Sequence, residues 1–422
     1  MLVVMEESAG KSAIDAVCVT ASDAGLSTVV FRGEPPMVLL SGVPLREVED
    51  SIAALPGVVR VASSDGSASL VTSNLRIAGI RPLISPAILM EEHPLPAEGA
   101  ILVQRSRREI SRILAGEDDR LLVVVGPCSI HDVDAALDYA GRLVQLARDL
   151  ADDLLIVLRV YFEKPRTTVG WKGLINDPRG DSSFAVNEGL RIARGLLLDV
   201  IELGLPAGCE FLDPVSPQFI SDSVTWAAIG ARTTESQVHR NLASGLSMPV
   251  GFKNGTSGDI QIAVDAISAA SYPHHFMSVT EQGHAAIVET RGNRDTHMIL
   301  RGGRTGPNYD PASVQIALSA LQKAGLPQVV MVDASHGNSN KDYREQPKVA
   351  AAVAEQVAAG QSGIIGVMLE SFLVEGRQDL DWSNGMTYGQ SVTDSCMGWD
   401  MTLPVLDGLA AAVRRRRATI GS

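Results

Sequence analysis

The sequence predicts an α/β protein in which a (β/α)8 TIM barrel follows a smaller domain of the ferredoxin-like type. Its 422 residues are enough for two domains, or for one barrel with an extension. Apolar runs of strand length alternate with helical patterns over most of the chain, as is typical of a parallel barrel with helices outside it. A shorter series of strands and helices comes first, and a serine-rich stretch at residues 63–69 is the predicted linker.

Residues 1–72 are predicted to form the first domain. Gly25 and the pair Pro56-Gly57 end its two helices, because both residue types interrupt helical hydrogen bonding. The order βαββαβ occurs in amino-acid-binding regulatory domains and also in inert scaffolds, so the order alone assigns no role. The predicted elements are strand Leu2–Met5, helix Ser12–Ala24, strands Ser27–Phe31 and Pro36–Leu40, helix Leu45–Leu55 and strand Val58–Ala62.

Residues 73–422 are predicted to form the barrel domain, with a proline-rich extension and the helix Ile101–Leu114 at its start. Nine strand-like segments follow, one more than the barrel needs. The segment from His275 to Thr290 contains two such runs around a polar turn with no helix between them, so it is interpreted as an antiparallel hairpin outside the barrel. The eight barrel strands are then Leu121–Gly126, Leu155–Tyr161, Cys209–Leu212, Ala227–Ala231, Val250–Lys253, Met298–Arg301, Val329–Val332 and Ile364–Leu369. The helices between them include Asp134–Leu150, Glu188–Leu203, Ile260–Ala270, Pro311–Ala324 and Pro347–Ala359.

Composition and charge exclude several classes of protein. The net charge of −13 argues against non-specific binding of nucleic acid. No apolar stretch is long enough to span a membrane, and the first residues lack the basic segment of a signal peptide. The four cysteines are widely spaced and form no paired pattern, which indicates free thiols in a reducing cytoplasm.

Basic residues recur at the predicted strand ends, although the whole chain is acidic. In a barrel of this type the carboxyl ends of the strands meet at one rim, where the active site lies. Like charges crowded into one cleft are unfavourable unless anions neutralise them, so the pattern predicts one or two multiply anionic substrates. Any single cation could instead pair with a neighbouring carboxylate. The six candidates are Arg159, Lys164, Arg166, Arg232, Lys253 and Arg301.

A second set at the same strand ends could hold a metal ion. Cys128, His336, Glu370 and Asp394 offer a thiolate, an imidazole and two carboxylates, which suit one divalent ion of Mn, Fe, Co or Zn. Their long-range spacing is a weak signal alone, since a buried cysteine is usually a small hydrophobe. The predicted position of these four residues next to the cluster of cations strengthens the interpretation that they bind a metal ion. Glu210, which lies in the third predicted strand, is a further polar candidate for the site but is not one of the metal-ligand set.

From about Leu75 to the C-terminus, the chain closely resembles the 3-deoxy-D-arabino-heptulosonate 7-phosphate (DAHP) synthases of the type I alpha branch. The resemblance covers over four fifths of the chain and rests on long motifs. These motifs are Gly126–His131, Arg159–Pro178, Gly230–Gln237, Gly251–Thr256, Ile299–Gly303, Ser335–Asn340 and Ser391–Cys396.

The resemblance implies a condensation of phosphoenolpyruvate with erythrose 4-phosphate, the first step of the shikimate pathway to the aromatic amino acids. It implies that Arg166 and Thr167 bind the phosphate of erythrose 4-phosphate. It also implies that Asp394 contacts substrate and that Lys164, Lys253, Glu210 and His336 act in catalysis. The implied metal ligands are the four residues grouped above, and the implied phosphoenolpyruvate ligands are Arg159, Lys164, Arg232, Lys253 and Arg301.

The resemblance also implies feedback inhibition by an aromatic amino acid in a homodimer or homotetramer. The corresponding pocket lies between the hairpin, the region around Gln218 and the N-terminal segment of a neighbouring subunit. A complete first domain in front of such a chain departs from the usual pattern, so its role is open between regulation and stabilisation. The matching positions are Pro214, Gln218, Ser247, Phe276 and Ser278, with Asn74 and Ile77 from the partner.

Three alternatives remain at this point. A Schiff-base aldolase on the same barrel would use Lys253 as a covalent nucleophile and would be indifferent to chelators. A related condensing enzyme of secondary metabolism would accept an altered tetrose with the same phosphoenolpyruvate site. A non-catalytic sensor would use the barrel only to bind ligands.

Overall fold

The computed structural model describes residues 1–31, 33, 35–42, 46–62, 74–165, 170–381 and 385–420. These residues form two compact units, Met1–Arg81 and Pro82–Ser422. The predicted linker at 63–69 lies outside the described residues. Among those residues, no helix has the combination of length and apolar composition that crossing a membrane requires.

The first unit has the predicted ferredoxin-like order. Its four strands pair antiparallel in the order β2-β3-β1-β4, so that β1 and β3 occupy the middle of the sheet. Alternate residues of the central strands, such as Val3 and Val38, face the two helices and are fully buried with Val17 and Ile52. The elements are β1 (Leu2–Met5), α1 (Lys11–Asp23), β2 (Ser27–Phe31), β3 (Met37–Ser41), α2 (Arg46–Ala53) and β4 (Val58–Ala62).

The second unit is a closed barrel of eight parallel strands, as predicted. In chain order the barrel strands follow one another around the ring, and the ring closes between the last strand and the first. The predicted hairpin outside the barrel is confirmed as a separate two-stranded antiparallel sheet. The strands are β5 (Leu121–Gly126), β6 (Leu154–Arg159), β7 (Ala207–Glu210), β8 (Trp226–Ile229), β9 (Val250–Lys253), β10 (His275–Val279) and β11 (Ala285–Glu289) of the hairpin, β12 (Thr296–Leu300), β13 (Val330–Asp333) and β14 (Ile364–Glu370). A small sheet of β15 (Val374–Arg377) and β16 (Gln390–Ser391), which the sequence did not indicate, follows.

Helices surround the barrel and fix the ends of its strands. Asp132 caps α5 by accepting a hydrogen bond from Ala135 N at 3.0 Å, and Asp310 caps α10, where Pro311 occupies the first turn. The helices are α3 (Pro86–Glu92), α4 (Ala97–Leu114), α5 (Val133–Asp149), α6 (Val186–Glu202), α7 (Pro217–Ile220), α8 (Gln237–Ala243), α9 (Gln261–Ala270), α10 (Pro311–Lys323), α11 (Gln346–Ala358) and α12 (Trp399–Ile420). Short 3-10 turns lie at Ser221–Ser223 and Tyr343–Glu345.

The barrel strands are continuous apolar runs because both of their faces are buried. In β5, Leu121, Val123 and Val125 pack outward in the core shared with the helices, whereas Leu122 and Val124 belong to a separate cluster with residues of other barrel strands. Because the barrel is packed on both faces, the carboxyl ends of its strands have fixed relative positions, and so do the polar residues at those ends.

Candidate functional site

A cavity of about 130 Å³ opens at the carboxyl-terminal rim of the barrel. Its lining is dominated by charged side chains of both signs. Glu210 and Lys253 end barrel strands, Arg301 follows one directly, and Arg232 and His336 lie in the loops just after strands. This is the rim at which the strand-end pattern predicted the site. The lining residues are Lys164, Pro165, Glu210, Gly230, Ala231, Arg232, Thr256, Lys253, Arg301, His336, Lys341, Thr393 and Asp394.

Lys253 and His336 meet at a buried carboxylate, that of Asp333. Oδ2 of Asp333 accepts a hydrogen bond from Lys253 Nζ at 2.9 Å and lies 2.9 Å from His336 Nδ1. Burial by itself would raise the pKa of Asp333, but His336 and Lys253 outweigh it and hold that pKa well below its ordinary value. The sequence analysis did not single out Asp333, although it ends β13 and so obeys the same strand-end rule as the predicted residues.

Glu370 at the end of β14 is a second buried carboxylate, and it lies beside the cavity. One oxygen accepts a hydrogen bond from Arg159 Nη2 at 2.9 Å, and the other accepts one from Ser335 Oγ at 2.7 Å. Its main chain is held by Gln346, whose side-chain amide bonds both the Glu370 N–H and the Glu370 carbonyl. Burial opposes ionisation, but His336 and Arg159 lower the pKa of Glu370 below its ordinary value. Glu370 is therefore a fixed anion.

Arg159, predicted to contact substrate, is buried next to the cavity and is not among its lining residues, and its role as a substrate ligand stays a prediction. The guanidinium is fully buried and donates to the carbonyl oxygens of Pro127 and Cys128, both at 3.1 Å. It also lies over the Tyr161 ring, 3.5 Å from the ring centroid, at cation–π distance. In this arrangement Arg159 neutralises and positions Glu370.

Three of the four predicted metal ligands come together. Ligand atoms of Cys128, Glu370 and Asp394 all lie within 4.8 Å of one another. His336 is outside this group, but its Nε2 lies 3.7 Å from Glu370 Oε1 and so faces the group. The thiol of Cys128 is fully buried and accepts a hydrogen bond from Asp394 N at 3.4 Å, which ties two of the ligands to each other. Cys396 packs against the same loop, accepting from Cys128 N at 3.3 Å.

The remaining cations face the cavity with few partners of their own. Arg301 is half-buried, and its Nε is a buried donor without an acceptor among the described residues. Burial lowers the pKa of Arg301 from its ordinary value, and the neighbouring Arg232 acts in the same direction. For Lys164, burial also disfavours the charge, but Cys128 and Glu370 outweigh it and raise the pKa above its ordinary value. Donors arranged in this way suit a bound anion.

Glu210 has the position at the rim that the sequence predicted. It ends β7, and its carboxylate is packed so closely against Gly230 that a Cβ there would lie 2.1 Å from Oε1. A glycine at position 230 is what allows the carboxylate to reach the cavity. Lys341, Thr256 and Thr393 also line the cavity and were missed, because none of them ends a strand or follows an apolar run.

The loop after β13 is strained where it borders the cavity. His336, Asn340 and Lys341 all have positive φ, at 52°, 52° and 63°. Residues other than glycine adopt this conformation at a cost of roughly 1 kcal/mol or more and keep it only where surrounding contacts enforce it. The strain directs His336 towards Asp333 and brings Lys341 Nζ to 3.5 Å from Asp394 Oδ1.

The predicted erythrose 4-phosphate ligands Arg166 and Thr167 lie outside the described residues. The loop that carries them is closed at its base, where Lys164 N donates to Lys172 O at 2.9 Å and Glu163 bridges to Gly173. Both ends of the segment are thus fixed next to the cavity.

The structure connects two of the predicted effector-binding residues directly, since Ser278 Oγ in the hairpin donates to Pro214 O at 3.3 Å. Phe276 is on the same hairpin strand as Ser278, Gln218 is in α7, and Ser247 is in the loop before β9. Asn74 and Ile77 belong to the first unit. The predicted pocket stays a prediction.

The fold and the site together define a class, a (β/α)8-barrel protein whose cationic cavity adjoins three ligands suited to a metal ion. Residues 97–406 match the model of the DAHP synthetase I family. The chain accordingly belongs to the DAHP synthetase I family.

Relatives and solved structures agree with this assignment. The chain is 58% identical over 344 residues to the Phe-sensitive phospho-2-dehydro-3-deoxyheptonate aldolase of Escherichia coli K12, covering 82% of this chain and 98% of that protein. It is 55% identical over 354 residues to the phospho-2-dehydro-3-deoxyheptonate aldolase of Corynebacterium glutamicum, covering 82% and 96%. A solved structure of the aldolase of that name from Francisella tularensis is 51% identical, with a TM-score of 0.79 over 81% of this chain and 99% of that one.

Proposed function

We propose that this protein condenses phosphoenolpyruvate with erythrose 4-phosphate and water to give DAHP and inorganic phosphate, the entry reaction of aromatic amino-acid biosynthesis. One observation carries the proposal, namely that Lys164, Arg232, Lys253 and Arg301 line the same cavity that Asp394 of the three-ligand cluster borders. Two phosphorylated substrates and a divalent ion need that combination of charges. Membership of the family supports the same reaction.

The cations would bind phosphoenolpyruvate as a trianion. Arg301 and Arg232 offer planar forks of N–H donors to phosphate or carboxylate oxygens, and the two lysines offer point charges. Arg159 contributes from beneath the cavity by fixing Glu370 at 2.9 Å. Arg166 and Thr167, outside the described residues, are proposed to bind the phosphate of erythrose 4-phosphate.

Cys128, Glu370 and Asp394, with His336 as the fourth donor, would hold one divalent ion of Mn, Fe, Co or Zn. The residues fit such an ion because ligand atoms of Cys128, Glu370 and Asp394 lie within 4.8 Å of one another, and His336 Nε2 lies 3.7 Å from Glu370 Oε1. The donor set combines sulfur, nitrogen and carboxylate oxygen. When bound, the ion would polarise the aldehyde of erythrose 4-phosphate as a Lewis acid.

The chain's own groups account for the remaining steps. C3 of phosphoenolpyruvate attacks the aldehyde carbon, water adds at C2, and the phosphate leaves as its bond between C2 and oxygen breaks. Glu210 is positioned to orient that water or to take its proton, because Gly230 leaves room for its carboxylate at the cavity wall. Lys253 and Arg232 would stabilise the charge that develops around C2.

The Schiff-base alternative is disfavoured by the surroundings of Lys253. Its nitrogen is buried and donates to Asp333 at 2.9 Å, so it is engaged in an ion pair and does not present a lone pair to a carbonyl. A condensing enzyme that uses an altered tetrose would have the same phosphoenolpyruvate site. Activity measured with erythrose 4-phosphate and with altered tetroses distinguishes that enzyme from the one proposed.

Regulation by an aromatic amino acid is proposed at the hairpin. Relatives include a phenylalanine-inhibited protein of Saccharomyces cerevisiae and a tyrosine-inhibited protein of Schizosaccharomyces pombe, at 52% and 53% identity. The Ser278–Pro214 hydrogen bond joins the hairpin to the segment that follows β7, whose last residue is Glu210. A homodimer or homotetramer would complete the pocket with Asn74 and Ile77 of a neighbouring subunit. Inhibition by phenylalanine and tyrosine, measured with and without residues 1–70, tests the role of the first unit.

The test of the proposed reaction is phosphate release from phosphoenolpyruvate. Release should require erythrose 4-phosphate, should stop when a chelator removes the divalent ion, and should return when Mn²⁺ is restored. A borohydride-trapped adduct on Lys253 with full activity in chelator would instead establish the Schiff-base mechanism. Release with an amino-substituted tetrose and none with erythrose 4-phosphate would assign the second alternative.

A further inference from the structure

Asp333 contacts two functional side chains with one oxygen atom. Its Oδ2 lies 2.9 Å from Lys253 Nζ and 2.9 Å from His336 Nδ1, while its Oδ1 accepts a hydrogen bond from Ser335 N at 3.0 Å. The residue is fully buried at the end of β13. The peptide that follows is also fixed, since Ala334 N donates to Met368 O on β14 at 2.9 Å.

The charge of Asp333 determines which nitrogen of His336 carries its proton. His336 Nδ1 and Asp333 Oδ2 lie close enough for a charge contact, but the ring is not aligned for a hydrogen bond between them. A lone pair on Nδ1 would repel the carboxylate at this distance, so the geometry favours a hydrogen on Nδ1. Nε2, which lies 3.7 Å from Glu370 Oε1, is then left with its lone pair on the side of Cys128, Glu370 and Asp394.

We propose that Asp333 is a positioning residue that holds His336 as the Nδ1-protonated tautomer with Nε2 towards the divalent metal, and at the same time fixes the Lys253 ammonium for the substrate anion. This inference rests on the proposed function, in which His336 is a metal ligand. Because one oxygen serves both contacts, Asp333 couples the geometry of the metal site to that of the phosphoenolpyruvate site. A carboxylate behind a ligating histidine fixes ring orientation and increases ligand basicity.

The wild-type protein provides the first test, which depends on no substitution at position 333. Two-bond ¹H–¹⁵N spectra of protein labelled at its eight histidines report the tautomer of each ring, and the His336→Gln spectrum assigns the signal. The expected result is the Nδ1–H form in metal-free protein, with Nε2 shifted on addition of Zn²⁺. An Nε2–H tautomer would overturn the proposal.

The second test is Asp333→Asn, which keeps the shape of the side chain and removes its charge. Mn²⁺ affinity, measured by calorimetry on metal-free protein, should fall on the order of 10–100-fold, and KM for phosphoenolpyruvate should rise even at saturating Mn²⁺. Asp153→Asn is the matched control, a buried carboxylate paired with basic side chains far from the metal ligands, and its Mn²⁺ affinity should match that of the wild type.

The outcomes separate the inference from the function on which it rests. If folded Asp333→Asn has the same Mn²⁺ affinity and the same KM for phosphoenolpyruvate as the wild type, the positioning role of Asp333 is refuted, but the proposed reaction is not. A wild-type protein that neither binds Mn²⁺ nor releases phosphate would sink the proposed function itself. If Asp333→Asn does not fold, the tautomer spectrum of the wild type decides.

Discussion

The two rims of the barrel hold basic side chains in opposite electrostatic situations. At the amino-terminal rim, Arg417 contacts both Asp153, at 2.7 Å, and Asp119, at 2.6 Å, and these carboxylates come just before β6 and β5. At the carboxyl-terminal rim, Lys164 and Arg301 form no ion pair with any described residue. Lys253 and Arg159 at the carboxyl-terminal rim do have carboxylate partners, but Lys164 and Arg301 are left to be balanced by a ligand. Equal changes at Arg417 or Arg414 and at Lys164 or Arg301 should therefore have different consequences.

The largest effect is expected when a cation of the cavity is removed. Lys164→Ala should lower kcat/KM for phosphoenolpyruvate by about 10²–10³, because one donor that stabilises charge in a buried site contributes that much. Phosphate release measures the activity, and thermal unfolding shows that the fold is kept. Arg414→Ala at the opposite rim is the matched control, since its partly exposed pair with Asp153 is worth about 0–1 kcal/mol of stability and nothing in turnover. Similar turnover in both variants would refute the contrast between the rims.

The next effect tests a small residue at the same rim. Gly230→Ala would bring a Cβ to 2.1 Å from Glu210 Oε1, and the other nearby atoms lie at 3.2 Å or beyond. Only the flexible carboxylate has to move, so the fold should persist while kcat falls about 100-fold through loss of the general base. Rapid-quench kinetics and circular dichroism measure the two quantities. Gly195→Ala, where a Cβ on α6 meets nothing within 4 Å, should leave kcat unchanged.

Much of this contrast could be predicted from sequence, because the rule behind it is topological. Parallel strands buried on both faces appear as continuous apolar runs, so their carboxyl ends can be found by inspection. Glu210, Lys253 and Glu370 end barrel strands in the structure, and Arg301 follows one directly. Asp333 also ends a barrel strand, so the same rule could have identified it from the sequence.

What the sequence could not supply is the direction of each side chain after its strand ends. The side chain of Arg159 is directed by Glu370 and by two carbonyl groups from the neighbouring strand end, which accept its hydrogen bonds. His336 has a left-handed backbone, with its Nδ1 2.9 Å from Asp333 Oδ2 and its Nε2 3.7 Å from Glu370 Oε1. The Arg159 contacts join residues more than thirty positions apart in the chain, whereas the His336 contact is local but depends on an unusual backbone conformation. Neither hydrophobic periodicity nor motif spacing predicts such contacts.

Glu163, which follows β6 on the carboxyl-terminal side of the barrel, should give a smaller and pH-dependent effect on stability. It is a buried acid without an ion pair among the described residues. Burial raises its pKa from 4.5 to about 7, and Asp213 acts in the same direction. Between pH 4.5 and 7 the Glu163 carboxyl loses its proton in the unfolded chain but keeps it in the folded protein. The free energy of unfolding of the wild type therefore falls as pH rises through this range, and the whole decrease is reached above pH 7. Glu163→Gln removes the charge, and its stability relative to the wild type should improve by about 2 kcal/mol between pH 5 and pH 8.

Urea denaturation at the two pH values measures the effect of Glu163→Gln. Glutamine can still accept the hydrogen bond of Ser216 Oγ, which lies 3.1 Å from Oε2, so packing is preserved. The control is Glu188→Gln, an exposed partner of Arg179, whose relative stability should not change with pH by a comparable amount. A pH-independent difference for Glu163→Gln would mean that this carboxyl ionises normally in the folded protein.

The smallest effect is expected at the amino-terminal rim, and it should be purely one of stability. Asp153 is buried and accepts hydrogen bonds from Arg414 and Arg417, so Asp153→Asn leaves two arginines short of an anion and should cost about 1–2 kcal/mol. Because both arginines are partly exposed, water compensates for part of the loss, and the cost stays below that of breaking a fully buried pair. Denaturant unfolding should record the decrease, with kcat and KM unchanged. A loss of turnover at equal folded fraction would show that the two rims are coupled through the barrel strands.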